Sequence, residues 1–124
     1  MTLMTLTATP QPRAGNGATP VNLTTLLAAG SLGSNTGVQF QNSNREVLYI
    51  EQGTAVSNFT VAVGTTVEGQ TVQSITYTGV ASDIQFIGPF DTLFDVQPGD
   101  WIEVTFATAA NIAGVALIAN VGAV

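Results

Sequence analysis

A chain of 124 residues and 12.7 kDa has the length of one domain, and at that size it can hide roughly two-thirds of its unfolded surface without a covalent staple. It contains no cysteine, histidine or lysine, which removes disulfides, the usual zinc and copper ligands, Ser-His-Asp and Cys-His catalysis, and Schiff-base chemistry. Only 8% of its residues are charged, against about 25% in an average soluble domain, and a net charge of −6 with two arginines is not the clustered basic footprint of a nucleic-acid binder.

Residues 1–35 are rich in Thr, Ala, Gly, Pro, Asn and Leu. Pro10, Pro12 and Pro20 oppose regular strand pairing and continuous helix, and each biases its predecessor to extended geometry. Gly15-Asn16-Gly17 reads as a turn or flexible point. Asn22 to Gly30 fits a short helix, with Asn22 as N-cap and Gly30 as stop, and equally an extended segment anchored by Leu23 and Leu27. The whole stretch is read as an extended arm, too apolar for a solvent tail and therefore expected to dock on something. The N-terminus has no basic region followed by a continuous apolar core, so it does not read as a signal peptide.

From Val38 onward Thr, Val, Ile and Phe dominate, which is β composition. Strands are predicted at Gly37–Gln41, Glu46–Gln52, Phe59–Val63, Thr71–Tyr77, Asp83–Ile87, Leu93–Val96, Trp101–Ala107 and Ala113–Ala119. Turn signals separate them at Asn42-Ser43-Asn44, Gly53, Gly64, Gly69, Gly79, Gly88-Pro89 and Pro98-Gly99. Phe59, Val61 and Val63 alternate with polar or small residues; so do Ile102, Val104 and Phe106, and Leu48 and Ile50 point away from Val47 and Tyr49. Ile84 and Phe86 form a similar set opposite Gln85 and Ile87, and all these sets are read as core. The last strand is apolar on both faces, which suits a central or covered strand. The apolar run from Ile112 to Val124 is broken by Gly114, Asn120 and Gly122 and is short of the roughly 20 residues of a membrane helix. Short strands with frequent turns give an all-β expectation: a β-sandwich of jelly-roll or immunoglobulin-like type with about eight strands over 36–124, preceded by the 1–35 arm.

Carboxylates are the remaining chemistry. Asp83, Asp91, Asp95, Asp100 and Glu103 lie close in sequence. Two of them could act on a glycosidic bond, or several could hold Ca²⁺ with backbone carbonyls, but neither spacing is specific. The plainer reading is that they cap turns and solvate the surface, so no catalytic residue, metal or cofactor is assigned. Trp101, the single tryptophan, could stack on a sugar, with Tyr49 or Tyr77 and nearby acids as partners; the plainer reading is a core or interface anchor. Asn22-Leu23-Thr24 and Asn58-Phe59-Thr60 match the glycosylation pattern by chance in a Thr-rich chain. Arg45, the single cation of the β region, is expected to pair with an acid within the subunit or across an interface.

Asn42-Ser43-Asn44-Arg45-Glu46-Val47-Leu48-Tyr49-Ile50 resembles the N-x-G-R-x-x-L-x-V opening of small tailed-phage head decoration, or cement, proteins. Ile87-Gly88-Pro89-Phe90 resembles their I-G-P-F turn, followed by an aromatic, here Phe94. Val104-Thr105-Phe106 and Val115-Ala116-Leu117-Ile118 resemble their two closing strands, so the likeness spans about residues 37–119. Asn44 stands where the family has Gly, a position an Asn can fill in left-handed geometry. Residues 1–35 match no motif of the family. The resemblance implies a non-enzymatic virion protein on the capsid exterior. It implies a homotrimer at three-fold and quasi-three-fold positions, with the major capsid protein as partner and neither nucleic acid nor membrane. On that expectation Leu3, Leu6, Leu23 and Leu27, with Arg13 and Arg45, are the candidate interface residues. The other reading is a carbohydrate-binding or adhesion module, or a tail or baseplate protein, on the same sandwich.

Overall fold

The structure, a computed structural model, describes residues 3–10, 20–62, 66–67, 70–71, 74–90 and 101–119. It is an all-β, sandwich-like fold of two sheets. The first has the order β1 (Leu3–Thr5), β3 (Gly37–Gln41), β10 (Trp101–Phe106), β5 (Phe59–Val61) and β8 (Ile75–Tyr77). The second has β2 (Thr9–Pro10), β11 (Ile112–Ala119), β4 (Glu46–Gln52) and β9 (Ile84–Ile87). A two-stranded ribbon joins β6 (Thr66–Val67) and β7 (Gln70–Thr71). The pairings are antiparallel except β1 with β3 and β2 with β11. The predicted Leu93–Val96 strand and Pro98-Gly99 turn lie outside the described residues.

Alternation decides which side chains enter the space between the sheets. On β10, Ile102, Val104 and Phe106 are buried while Trp101, Glu103 and Thr105 are half-buried. Their cross-strand partners Phe40, Val38 and Phe59 face the same way. From the second sheet come Leu48, Ile50, Val115 and Leu117, and Phe90 meets Phe40 edge-on at 5.4 Å between ring centres. Such pairs of opposed apolar faces are what holds a sandwich together.

Residues 3–10 contribute a strand to each sheet. Residues 3–10 run from the edge of one sheet to the edge of the other. β1 extends the first sheet, Leu6 N–H donates to the Gln39 carbonyl at 2.9 Å, and β2 then pairs with β11. Met4, Leu6 and Ala8 pack against the core on the way.

Residues 23–29 are helical, α1 (Leu23–Ala29), which resolves the helix-or-extended alternative. Leu23, Leu26 and Leu27 fall at i, i+3 and i+4 on one face. A seven-residue helix is too short to persist alone. It is held because Gly114 of β11, lacking a side chain, lets the helix backbone approach: a Cβ there would stand 2.1 Å from the Leu27 carbonyl oxygen. Val115 N–H then donates to the Gly30 carbonyl at 3.1 Å. α1 covers the outer face of β11 above Gly114 and the buried Ala116, which explains why that strand is apolar on both sides.

β9 departs from the expected facing. Its register with β4 sets Ile87 beside Leu48 and Gln85 beside Ile50, so 85 and 87 turn inward while Ile84 and Phe86 turn outward. Gln85 is the residue that decides this. Its Oε1 accepts from Gln52 Nε2 at 3.2 Å and Val80 N–H at 3.1 Å, and its Nε2 donates to the Thr78 carbonyl at 3.0 Å. Gln52 is buried and also bonds both the amide and the carbonyl of Ser57. Turning Gln85 outward would remove all three of these hydrogen bonds.

Candidate functional site

The Asn42–Glu46 turn and the Gly88-Pro89-Phe90 segment meet in space. Glu46 begins β4 on its inward-facing parity, with Leu48, Ile50 and Gln52, and is only 6% exposed. Its carboxylate accepts from Ser43 N–H at 2.7 Å, Ser43 Oγ at 2.6 Å and Arg45 N–H at 3.4 Å. Burial pushes its pKa up, but the Ser43 and Arg45 hydrogen bonds outweigh this and hold it below the ordinary glutamate value. Asn42 Oδ1 accepts from Asn44 N–H at 2.9 Å, and Asn44 sits at φ 63, the left-handed geometry expected of it. Gly88, at φ 134, lies against this turn: a Cβ on it would be 2.5 Å from the Glu46 carbonyl oxygen. Next to it the Gly88–Pro89 peptide is cis and Phe90 enters the core. Arg45, between the turn and β4, is exposed.

Beside this turn is an open cleft of about 530 Å³. Thr5 to Ala8 form one wall, and Gln41, Asn42, Ser43, Glu46 and Trp101 the other. Trp101 is half-buried and opposite Gln41 in the ladder. The other two aromatics considered for sugar stacking lie elsewhere. Tyr49 packs tilted against Phe86 outside the second sheet, and Tyr77 stacks on Phe59 at 5.4 Å.

The leucines expected at an interface differ in burial within the chain. Leu27 is fully buried under α1, a correction to its role as an inter-subunit anchor: the Gly114 notch draws it onto its own β11. Leu3 and Leu6 are half-buried along β1 and the crossing to β2, and Leu23 is half-buried on α1. Arg13 lies outside the described residues, as do Asp91, Asp95 and Asp100. Of that acidic run, Asp83 precedes β9 and Glu103 is on β10, in different sheets, and no three acids gather as a metal site among the described residues. Asp83 Oδ1 accepts from Ile84 N–H at 2.9 Å, a turn-capping role.

Sequence reasoning missed two features. Glu46 shares the parity of Leu48 and Ile50, so period-two alternation already marked it as inward. Phe86 is 68% exposed, and the presence of Gln85 between two apolar residues gave no hint that the polar side chain would face in. Comparison of the chain with protein-family models, with curated proteins and with solved structures gives no match.

Proposed function

We propose that the chain is a virion structural protein that binds the outer surface of a phage capsid as a cement protein, as a homotrimer with the major capsid protein as partner. The observation that carries this reading is the junction of the Asn42–Glu46 turn with Gly88-Pro89-Phe90. Two family-like motifs, some forty residues apart in sequence, pack on one another, with Asn44 in the conformation the family's Gly would take. The sparse charge supports it, since a shell-bound protein is largely covered. No chemistry is required of such a protein. Binding only the assembled shell stabilises that state by the binding free energy at each site. Mixing the purified chain with expanded heads of the cognate capsid protein and sedimenting them tests this. The chain is expected to pellet in a fixed ratio to coat subunits; a chain left wholly in the supernatant contradicts the reading.

The cleft supports a second reading, carbohydrate binding, because Trp101 shares it with Gln41 and Asn42. Trp101 is the only tryptophan, so its fluorescence reports on that cleft alone. Saturable quenching or a spectral shift with oligosaccharides would favour this reading, and an unchanged spectrum would remove it.

A further inference from the structure

We propose that the outer edge of β9 is a self-association surface, pairing antiparallel with the same edge of a second copy about a two-fold axis at Phe86. The inference goes beyond capsid binding and does not depend on it. β9 is last in its sheet among the described residues, so no described strand meets its far edge. Gln52 N–H donates to the Asp83 carbonyl, which makes 52–83 a hydrogen-bonded pair. In an antiparallel ladder such pairs alternate. Residues 83, 85 and 87 thus direct their backbone groups to β4, and Phe86 directs its N–H and C=O to the open edge. Ile84 N–H is already taken by Asp83 Oδ1.

Natural sheets protect such edges with Lys, Pro or bulges. β2, the opposite edge of this sheet, carries Pro10. β9 has the sequence Ile-Gln-Phe-Ile and none of these devices. Its outward side chains are Ile84 and Phe86, with exposed Val80 close before them in the chain. Phe86 already packs on Tyr49 of β4, its ring tilted, at 5.3 Å between ring centres. A two-fold at Phe86 forms two reciprocal N–H···O=C bonds and brings the two Phe86 rings side by side on one face. The outcome is a continuous row, Tyr49–Phe86–Phe86–Tyr49, across an eight-stranded sheet.

Charge selects a second copy as the occupant. The Ile84 end of the edge is acidic, with Asp83 just before it and Glu51 opposite Ile84 on β4. The Ile87 end carries one exposed cation beside a buried carboxylate. Gly88 lies against Glu46, and its neighbour Arg45 is exposed there, the one cation among the described residues. Antiparallel pairing about Phe86 sets the acidic end of each copy beside the exposed Arg45 of the other, while the axis itself carries no charge. An acidic chain thereby meets itself without like charges in register.

The test is absolute mass by light scattering of the full chain from micromolar to several hundred micromolar. A mass of two copies, or of six if three-fold rings join through the same edges, is expected. Phe86→Lys should halve that mass or weaken the association at least about tenfold, as for a central aromatic anchor, with unchanged far-UV circular dichroism because the side chain is exposed. Amide exchange supplies a readout free of mutation: Phe86 N–H should be protected at high concentration and exchange fast on dilution. Arg45→Asp and Asp83→Arg should each weaken the pairing, and the double exchange should restore it. One or three copies at every concentration, an even mass indifferent to Phe86→Lys, or a Phe86 amide indifferent to dilution would overturn the proposal. Capsid binding can succeed or fail under any of these outcomes, so the two readings are separable.

Discussion

Glu46 is a carboxylate that holds a turn through three donors, and its removal has a defined cost. Glu46→Gln keeps the shape but weakens charge-assisted bonds inside a buried site, so a loss of about 1–3 kcal/mol is expected in urea denaturation at pH 7. Because the folded-state pKa is depressed, the carboxylate contributes its full stability above the ordinary glutamate value, near 4.5. That contribution is lost as pH falls through the lower folded value. The wild-type chain should therefore lose stability on acidification below that range, with a shallower slope in Glu46→Gln. Asn44 gives a second case. At φ 63, Asn44→Gly should leave the denaturation midpoint nearly unchanged, whereas Asn44→Val should cost about 1–2 kcal/mol, since a β-branched residue resists the left-handed region. The tolerance of Asn for this geometry was legible from sequence. The burial of Glu46 was legible only in its parity, because composition alone assigns acids to the surface.

Among elements, strands with strict alternation and clear flanking turns were the most legible. Gly37–Gln41 and Glu46–Gln52 occupy the predicted residues, and Trp101–Phe106 differs from its prediction by one residue. α1 was ambiguous because seven residues carry too little intrinsic preference to choose, and its partner is ninety residues away in sequence. That partnership rests on Gly114. Gly114→Ala would drive a methyl into the Leu27 carbonyl, so it should cost about 1–3 kcal/mol, as overpacking does. It should also lift α1, seen as faster proteolysis within residues 23–30. The facing of β9 was illegible for a related reason. Its local pattern fits either face, and the choice belongs to a hydrogen-bond network supplied by Gln52, Ser57, Thr78 and Val80.

For the whole molecule, the sandwich class followed from strand count and turns, but the long-range pairings did not. Nothing in residues 3–10 announces that they pair with an edge of each sheet, because a parallel edge pairing leaves no local signature. Of the leucines expected at an interface, Leu27 is buried within the subunit, while Leu3, Leu6 and Leu23 are half-buried. Sparse charge remains the property that most needs an assembly to explain it. The direct measurement is the temperature at which DNA-filled, expanded heads stripped of decoration protein release their DNA, read by dye fluorescence with and without the chain. At a free concentration one hundred times the dissociation constant, each occupied site adds about 2.7 kcal/mol to the assembled state. The release temperature should therefore rise and saturate at a fixed number of chains per coat subunit. An identical release temperature at saturating chain would contradict the proposed capsid-stabilising function.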